Sequence, residues 1–166
     1  QGALKSEVLA LCSLSRLARA RADADAAVAS ARAALDIVRR LEDPPAEADV
    51  WLCLGWSLAR QGALDDARDA LERGHALVQR LGRLNHAVAA QVGLAHVLAR
   101  LGCLPDAVAR LGPVIAHLET GTLDGVPCRG EVYLASHRVL RDAGDPRSAQ
   151  VLAAAYRDLQ TRAACI

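Results

Sequence analysis

The sequence predicts an all-α chain, and three observations carry that prediction. Its 166 residues are 52% apolar, rich in Ala, Leu and Arg, and contain neither Phe nor Met. Ala and Leu head the helix-propensity ranking and β-branched residues are sparse, so no segment reads as a strand. In the stretch 51–71, WLCLGWSLARQGALDDARDAL, apolar residues recur every three or four positions at Trp51, Leu54 and Leu58 and again at Ala67, Ala70 and Leu71. That spacing makes two amphipathic helices, with Gln61-Gly62 as the break between them. The same wording returns 40 residues later, LARQGALDDA at 58–67 and LARLGCLPDA at 98–107. A repeated helical hairpin accounts for all three observations.

Taken in order, the small residues Ala27, Ala67, Ala107 and Ala149 occupy matching contexts, 40, 40 and 42 positions apart, and define four units at about 6–41, 46–82, 84–118 and 130–166. In the first, Leu11, Leu14 and Ala18 form the inner face of helix A and Ala27, Ala31, Ala34 and Val38 that of helix B, with RADAD as a turn that no glycine marks. Asp43-Pro44-Pro45 stops that helix B and launches the next helix A, since proline cannot continue the hydrogen-bond ladder but fits a first helical turn. The third unit repeats the second at Leu94, Ala95, Leu98, Ala107 and Leu111, with Gly102 in the place of Gly62 and Gln91 in that of Trp51. Pro113 falls inside its helix B, where a kink is expected near Gly112. Residues 119–128, ETGTLDGVPC, read as a loop that lengthens the last spacing. In the fourth unit Asp145-Pro146 reads as N-cap and first residue of helix B. Its helix A has two registers open: one counted back from Ala149 through Ser136 and His137, the other following Val132, Ala135 and Val139.

The chain has one domain's length. With a formal net charge of +1 and both signs spread along it, nothing draws it as a whole to nucleic acid or to a membrane surface. Charged residues interrupt every apolar run before the roughly 18 to 20 residues that a membrane span needs. Cys12, Cys53, Cys103, Cys128 and Cys165 are odd in number, widely spaced and free of CxxC pairs, which argues against a disulfide framework or a zinc site and for reduced thiols in cytoplasm. His75, His86, His96, His117 and His137 stand apart, without HExxH or GxSxG, and no phosphate-binding GxxxxGK[ST] occurs. The expectation is a non-enzyme with neither metal nor cofactor. Because the chain opens at Gln1 without Met and ends at Ile166 with a helical pattern still running, it reads as a piece of a longer protein.

The spacing Trp51-x2-Leu54-Gly55-x2-Leu58 followed by Ala67-x3-Leu71 resembles the tetratricopeptide repeat, with helices extended beyond the handful of turns that its roughly 34-residue period allows. The resemblance covers nearly the whole chain and implies a right-handed superhelix, an α-solenoid, of about four antiparallel helix-turn-helix units and eight helices. The 40-residue spacing and the ARxGxxxDA wording look like the sensor and regulatory repeat regions of bacterial signal-transduction ATPases of the maltose-activator type and of cyclase-linked regulators. In such proteins the array implies a regulatory or ligand-sensing role, the output domain lying elsewhere.

The resemblance also implies that helix A lines a concave groove, which carries the groove positions onto Arg16 and Arg19 in unit one, Asp49, Cys53, Trp56 and Arg60 in unit two, His96 and Arg100 in unit three, and Glu131, Arg138 and Arg141 in unit four. This set is rich in arginine, whose planar fork grips carboxylate or phosphate bidentately, so the expected partner is an acidic protein or peptide segment, or another domain of the same parent chain. A second reading stands beside it. Arg60, Arg100 and Arg141 fall in last helical turns, where a cation offsets the macrodipole by about 0.3 to 1 kcal/mol without a ligand, and Arg16, Arg19 and Arg138 can be a solvated face. Trp51 reads as core; Trp56, five residues on, cannot share its seam and points toward the groove or the adjacent helix A. Where carboxylate-clamp members of the family use Lys and Asn, this chain has Cys12, Cys53, Ala89 and Gly93, which argues against chaperone-tail recognition. Alternatives to a peptide-binding scaffold are an inducer-sensing domain of a bacterial transcriptional regulator and a structural oligomerisation module.

Overall fold

A computed structural model describes residues 2–164, and every regular element among them is an α-helix. Eight are present among these residues: α1 (Gly2–Ala20), α2 (Ala24–Val38), α3 (Pro44–Gln61), α4 (Leu64–Arg80), α5 (Leu84–Arg100), α6 (Leu104–Thr120), α7 (Arg129–Asp142) and α8 (Arg147–Ala163). They fall into two compact units, one ending at Arg83 and the other beginning at Leu84, so each unit holds two hairpins. In the first, α2 and α3 both pack on α1, and α4 packs on α3. In the second, α6 and α7 pack on α5, and α8 lies against α6 and α7.

The turns inside the hairpins are one device used four times. Ala22, Gly62, Gly102 and Gly144 all take positive φ, at 61°, 98°, 86° and 67°. Each is followed by an amide that reaches back five residues: Asp23 N–H to Ala18 C=O (2.9 Å), Ala63 to Leu58 (3.1 Å), Cys103 to Leu98 (2.9 Å) and Asp145 to Leu140 (2.8 Å). This is the Schellman closure, which satisfies helix-end carbonyls and asks for a left-handed residue, usually glycine. The RADAD turn makes it with Ala22, at the steric cost that a Cβ brings to that conformation. Helix starts are equally legible: Asp43 accepts from the Ala46 amide (3.1 Å) with Pro44 and Pro45 in the first turn, and Asp23 accepts from Ala26 (3.1 Å).

Within the first unit α3 and α4 approach closely through a reciprocal contact. Gly55 lies under Leu71, and Gly74 of α4 lies under Leu52 of α3; a Cβ at either glycine would stand 2.5 or 2.6 Å from the facing leucine side chain. Trp51 is core, 8% exposed, its indole N–H donating to Glu47 (3.1 Å) and its ring flanked by the guanidinium carbons of Arg39 and Arg73 at 5.4 and 5.0 Å from the centroid. Ala27, Ala67 and Ala107 are fully buried, as are Leu71, Leu94 and Leu111. Gln91, in Trp51's place, accepts from Arg110 of α6 (3.1 Å).

The expectations for the inner face of α1 and for the last helix need correction, and the register left open in the fourth unit is resolved. The inner face of α1 is Val8, Cys12, Ser15 and Arg19, not Leu11, Leu14 and Ala18; Leu14 is exposed and the other two are half-buried. The buried stripe was missed because its polar members read as surface, whereas here their polar atoms bond to neighbouring helices. α6 keeps Pro113 inside it, on its exposed side. In the last hairpin helix B starts at Arg147, with Asp145 accepting from the Arg147 amide (2.9 Å), and its core contacts are Val151 and Ala154, while Ala149 is exposed. Helix A follows the register of Val132, Ala135 and Val139, with Ser136 buried beside them and bonded to the Val132 carbonyl (2.8 Å). The connection after α6 is a loop, yet Leu123 and Val126 are buried in the second unit's core. Asn85 holds the loop from α5, its amide donating to Asp124 C=O (2.9 Å) and its carbonyl oxygen meeting His117 Nε2 (3.0 Å).

Candidate functional site

Helical spacing places Asp49, Cys53, Trp56 and Arg60 at i, i+4, i+7 and i+11 on one face of α3, and Cys12, Arg16 and Arg19 on one face of α1. These helices pack on each other, which brings two of the predicted groove residues into contact and takes them out of solvent. Arg19 is 5% exposed and Cys53 7%. The Arg19 guanidinium donates to the Cys53 carbonyl (3.3 Å) and to Ser57 Oγ (3.3 Å) and lies 3.8 Å from Cys53 Sγ. Ser57 in turn donates to the Cys53 carbonyl (2.8 Å) and meets Ser15 Oγ at 2.9 Å, and Ser15 donates to the Ala27 carbonyl (2.8 Å). Cys53 Sγ is 3.8 Å from the Cys12 carbonyl.

A guanidinium taken from water is costly unless hydrogen-bonded, and this network supplies its acceptors. The neighbouring Cys53 and burial push the Cys12 thiol up, so it stays protonated, while Cys12, opposed by burial and aided by the Arg19 charge, lowers the pKa of Cys53. Arg19 and Cys53 are therefore corrected from open groove contacts to an internal polar cluster. Sequence reasoning missed Ser15, Ser57 and Cys12 as its members. The available signal was their separation, 42 positions for the serines and 41 for the cysteines, about one repeat period between adjacent helices A.

Around this cluster the remaining α1 and α3 residues stay near the surface. Arg16 is half-buried and donates to Ser13 Oγ (2.9 Å). Asp49 takes a bidentate pair from Arg83, at 2.8 and 3.2 Å, with Arg83 also donating to the Pro45 carbonyl (3.1 Å). Trp56 is partly exposed and Arg60 is exposed one helical turn further along. In the second unit His96 is half-buried and Arg100 exposed at the end of α5; in α7 Glu131 is half-buried while Arg138 and Arg141 are exposed, Arg141 pairing with its neighbour Asp142 (2.7 Å).

Among the described residues no three His, Cys, Asp or Glu side chains come together in a way that could hold a metal ion, and no helix is long and apolar enough to cross a membrane. No protein family matches the chain, and no curated protein matches it. Among solved structures it is similar to the crystal structure of BtubC (BKLC) from P. vanneervenii, with a TM-score of 0.51 and 18% identity over 98% of this chain and 82% of that one. At that identity the likeness speaks for the fold alone.

Proposed function

We propose that the chain is a tetratricopeptide-like, non-catalytic interaction module that binds an acidic protein or peptide segment along the helix A face of its first unit. The observation that carries this reading is the pair of tryptophans on α3. Trp51 is locked in the core between Arg39 and Arg73, whereas Trp56, five residues on, leaves part of its ring in solvent next to the exposed Arg60. An exposed ring beside a cation is the kind of anchor on which interfaces concentrate their energy, and Arg16 adds a second cation from α1. Arg19, buried and bonded to Cys53 and Ser57, is taken up inside the unit and adds no contact to that face.

A titration of the full chain with acidic peptides and their basic counterparts, followed by tryptophan fluorescence and calorimetry, tests this. Binding should favour the acidic series, and Trp56→Ala combined with Arg60→Glu should abolish it with helical content unchanged. Equal affinity of the double variant and the parent would sink the assignment.

One observation favours oligomerisation as a second reading. On α8, Ala149, Leu152, Tyr156, Leu159 and Ala163 repeat at heptad spacing on its exposed side. Its residue types, Ala, Leu, Tyr, Leu and Ala, have the same order in either direction, so a second copy laid antiparallel about Tyr156 would bring each Leu152 to within one position of the partner's Leu159, as a self-complementary two-fold interface requires. Light scattering that reports monomer at high concentration, or a dimer unmoved by Tyr156→Glu, would exclude it.

A further inference from the structure

We infer that the chain associates head to tail with a second copy of itself, α8 of one copy lying on α1 of the next as α2 lies on α3 within the chain. The hairpin turns put the helices A in register. Their closing carbonyls, Ala18, Leu58, Leu98 and Leu140, are equivalent, which makes Leu14 and Leu17 of α1 the counterparts of Leu54 and Ser57 in α3 and of Ser136 and Val139 in α7. In α3 and α7 all four are buried, whereas Leu14 is 53% exposed and Leu17 47%. The preceding hairpin covers that side of α3. Ser57 meets Ser15 Oγ of α1 at 2.9 Å and accepts from Arg19 (3.3 Å), and the Trp51 ring lies 5.4 Å from the Arg39 guanidinium carbon of α2. Leu54 stands between Trp51 and Ser57 around the helix. Within its unit α1 packs on α2 and α3, and its matching side stays in solvent.

α8 presents the other half. Val28 and Leu35 of α2, one and eight residues after the buried Ala27, are themselves buried, and α3 packs over that helix. Leu152 and Leu159 of α8 hold the same places after the buried Val151, yet they are 51% and 58% exposed, with Tyr156 between them. So α1 shows the helix A side, and α8 the helix B side, of a seam that the first unit buries between its two hairpins. Single leucines on a surface need no explanation, but two patches that match the two sides of an existing junction do. In a repeat array each hairpin is covered by its neighbour, and the occupant that these faces fit is each other on separate copies. Such an interface is heterologous: α8 meets α1 and not another α8, so each pair keeps one open face of each kind and can add further copies. Trp56 and Arg60 take no part in it, and it stands apart from the acidic-segment reading.

Sedimentation velocity on the full chain and two double variants tests this. Leu14→Glu with Leu17→Glu closes the α1 face, and Leu152→Glu with Leu159→Glu closes the α8 face; all four side chains are exposed, so helical content should be kept. The parent should gain mass with concentration, and each double variant alone should stay monomeric. An equimolar mixture of the two should give a one-to-one dimer and nothing larger, since one intact face of each kind remains. A parent that is monomeric at every concentration would overturn the proposal and leave both faces to another occupant. So would a dimer of the α1 variant alone, which requires α8 to pair with itself, a dimer of the α8 variant alone, or a mixture that stays monomeric. Should glutamate disturb either helix, glutamine at the same four positions, a good helix former without the charge, carries the same comparison.

Discussion

Replacing Gly55 by alanine puts two opposed effects against each other on α3. The new methyl would stand 2.5 Å from Leu71 Cγ, 2.9 Å from Cδ2 and 3.1 Å from the Leu71 backbone nitrogen, against the roughly 3.5 to 4.0 Å of an ordinary carbon contact. Leu71 is fully buried and has nowhere to swing, and its amide belongs to α4, so the helix itself must move. Overpacking of that kind costs about 1 to 3 kcal/mol. Removing a glycine from a helix interior gives back up to about 1 kcal/mol, leaving a net loss of roughly 1 to 2 kcal/mol. Trp51 and Trp56, the two tryptophans of the chain, both lie in α3, so urea unfolding followed by their fluorescence reads the first unit. At a slope of about 2 kcal/mol per molar urea the midpoint should fall by roughly 0.5 to 1 M. The side-chain part of that penalty should vanish in a Leu71→Ala background, leaving only the 3.1 Å approach to the α4 backbone. A midpoint equal to or above the parent's would refute the claim that these glycines set the approach of α3 and α4.

Trp51→Ala should cost about 3 to 5 kcal/mol by the same assay read on far-UV signal, since a buried ring is lost; Arg39→Ala and Arg73→Ala should each cost about 0.5 to 1 kcal/mol through the cation–π contact alone, and no change in either would deny that contact. Ala22→Gly should raise the first unit's stability by up to about 1 kcal/mol, because relief of the left-handed strain outweighs the added chain entropy; a lower melting temperature would count against the strain. Asp145 is held near a pKa of about 2, below its usual 3.8, by the Arg147 guanidinium and then the Arg147 amide. Because the folded value is the lower one, this pair favours the fold above pH 3.8 and loses that contribution as pH falls from 3.8 towards 2; carboxyl titration by NMR should show the low midpoint in the parent and its return upward in Arg147→Gln.

The hairpins were legible wherever local chemistry and periodicity spoke together. Gly62 and Gly102 announced their turns because the left-handed position they occupy favours glycine, and the Asp43-Pro44-Pro45 cap was readable because Asp accepts a free first-turn amide and proline fits that turn. α1 was misread because periodicity arguments weigh leucines as core. Here Leu14 faces out, and Ser15 and Arg19 turn inward to meet carbonyls and hydroxyls of α2 and α3, partners no one-dimensional pattern displays. The fourth hairpin resisted because Ala149 and Val151 are both plausible contacts by composition, and only packing against α6 and α7 chooses between them. Of the candidate site, the helical faces were readable and their depth was not: Cys53 and Trp56 share a face of α3, yet one is buried beneath α1 and the other reaches water.

The segment 121–128 resembles a spacer, but Leu123 and Val126 anchor it in the second unit, and this bears on how such a chain can change over generations. Hairpins that recur at a 40-residue interval can be gained or lost by recombination in whole periods, each new copy finding the same neighbour surface. A crossover through 121–128 would instead remove two buried side chains from the second unit's core and leave the Asn85 amide without the Asp124 carbonyl. Each unit thus carries its own lock against such exchange: in the first the bonds of Ser15 and Arg19 to α3, in the second the buried Leu123 and Val126.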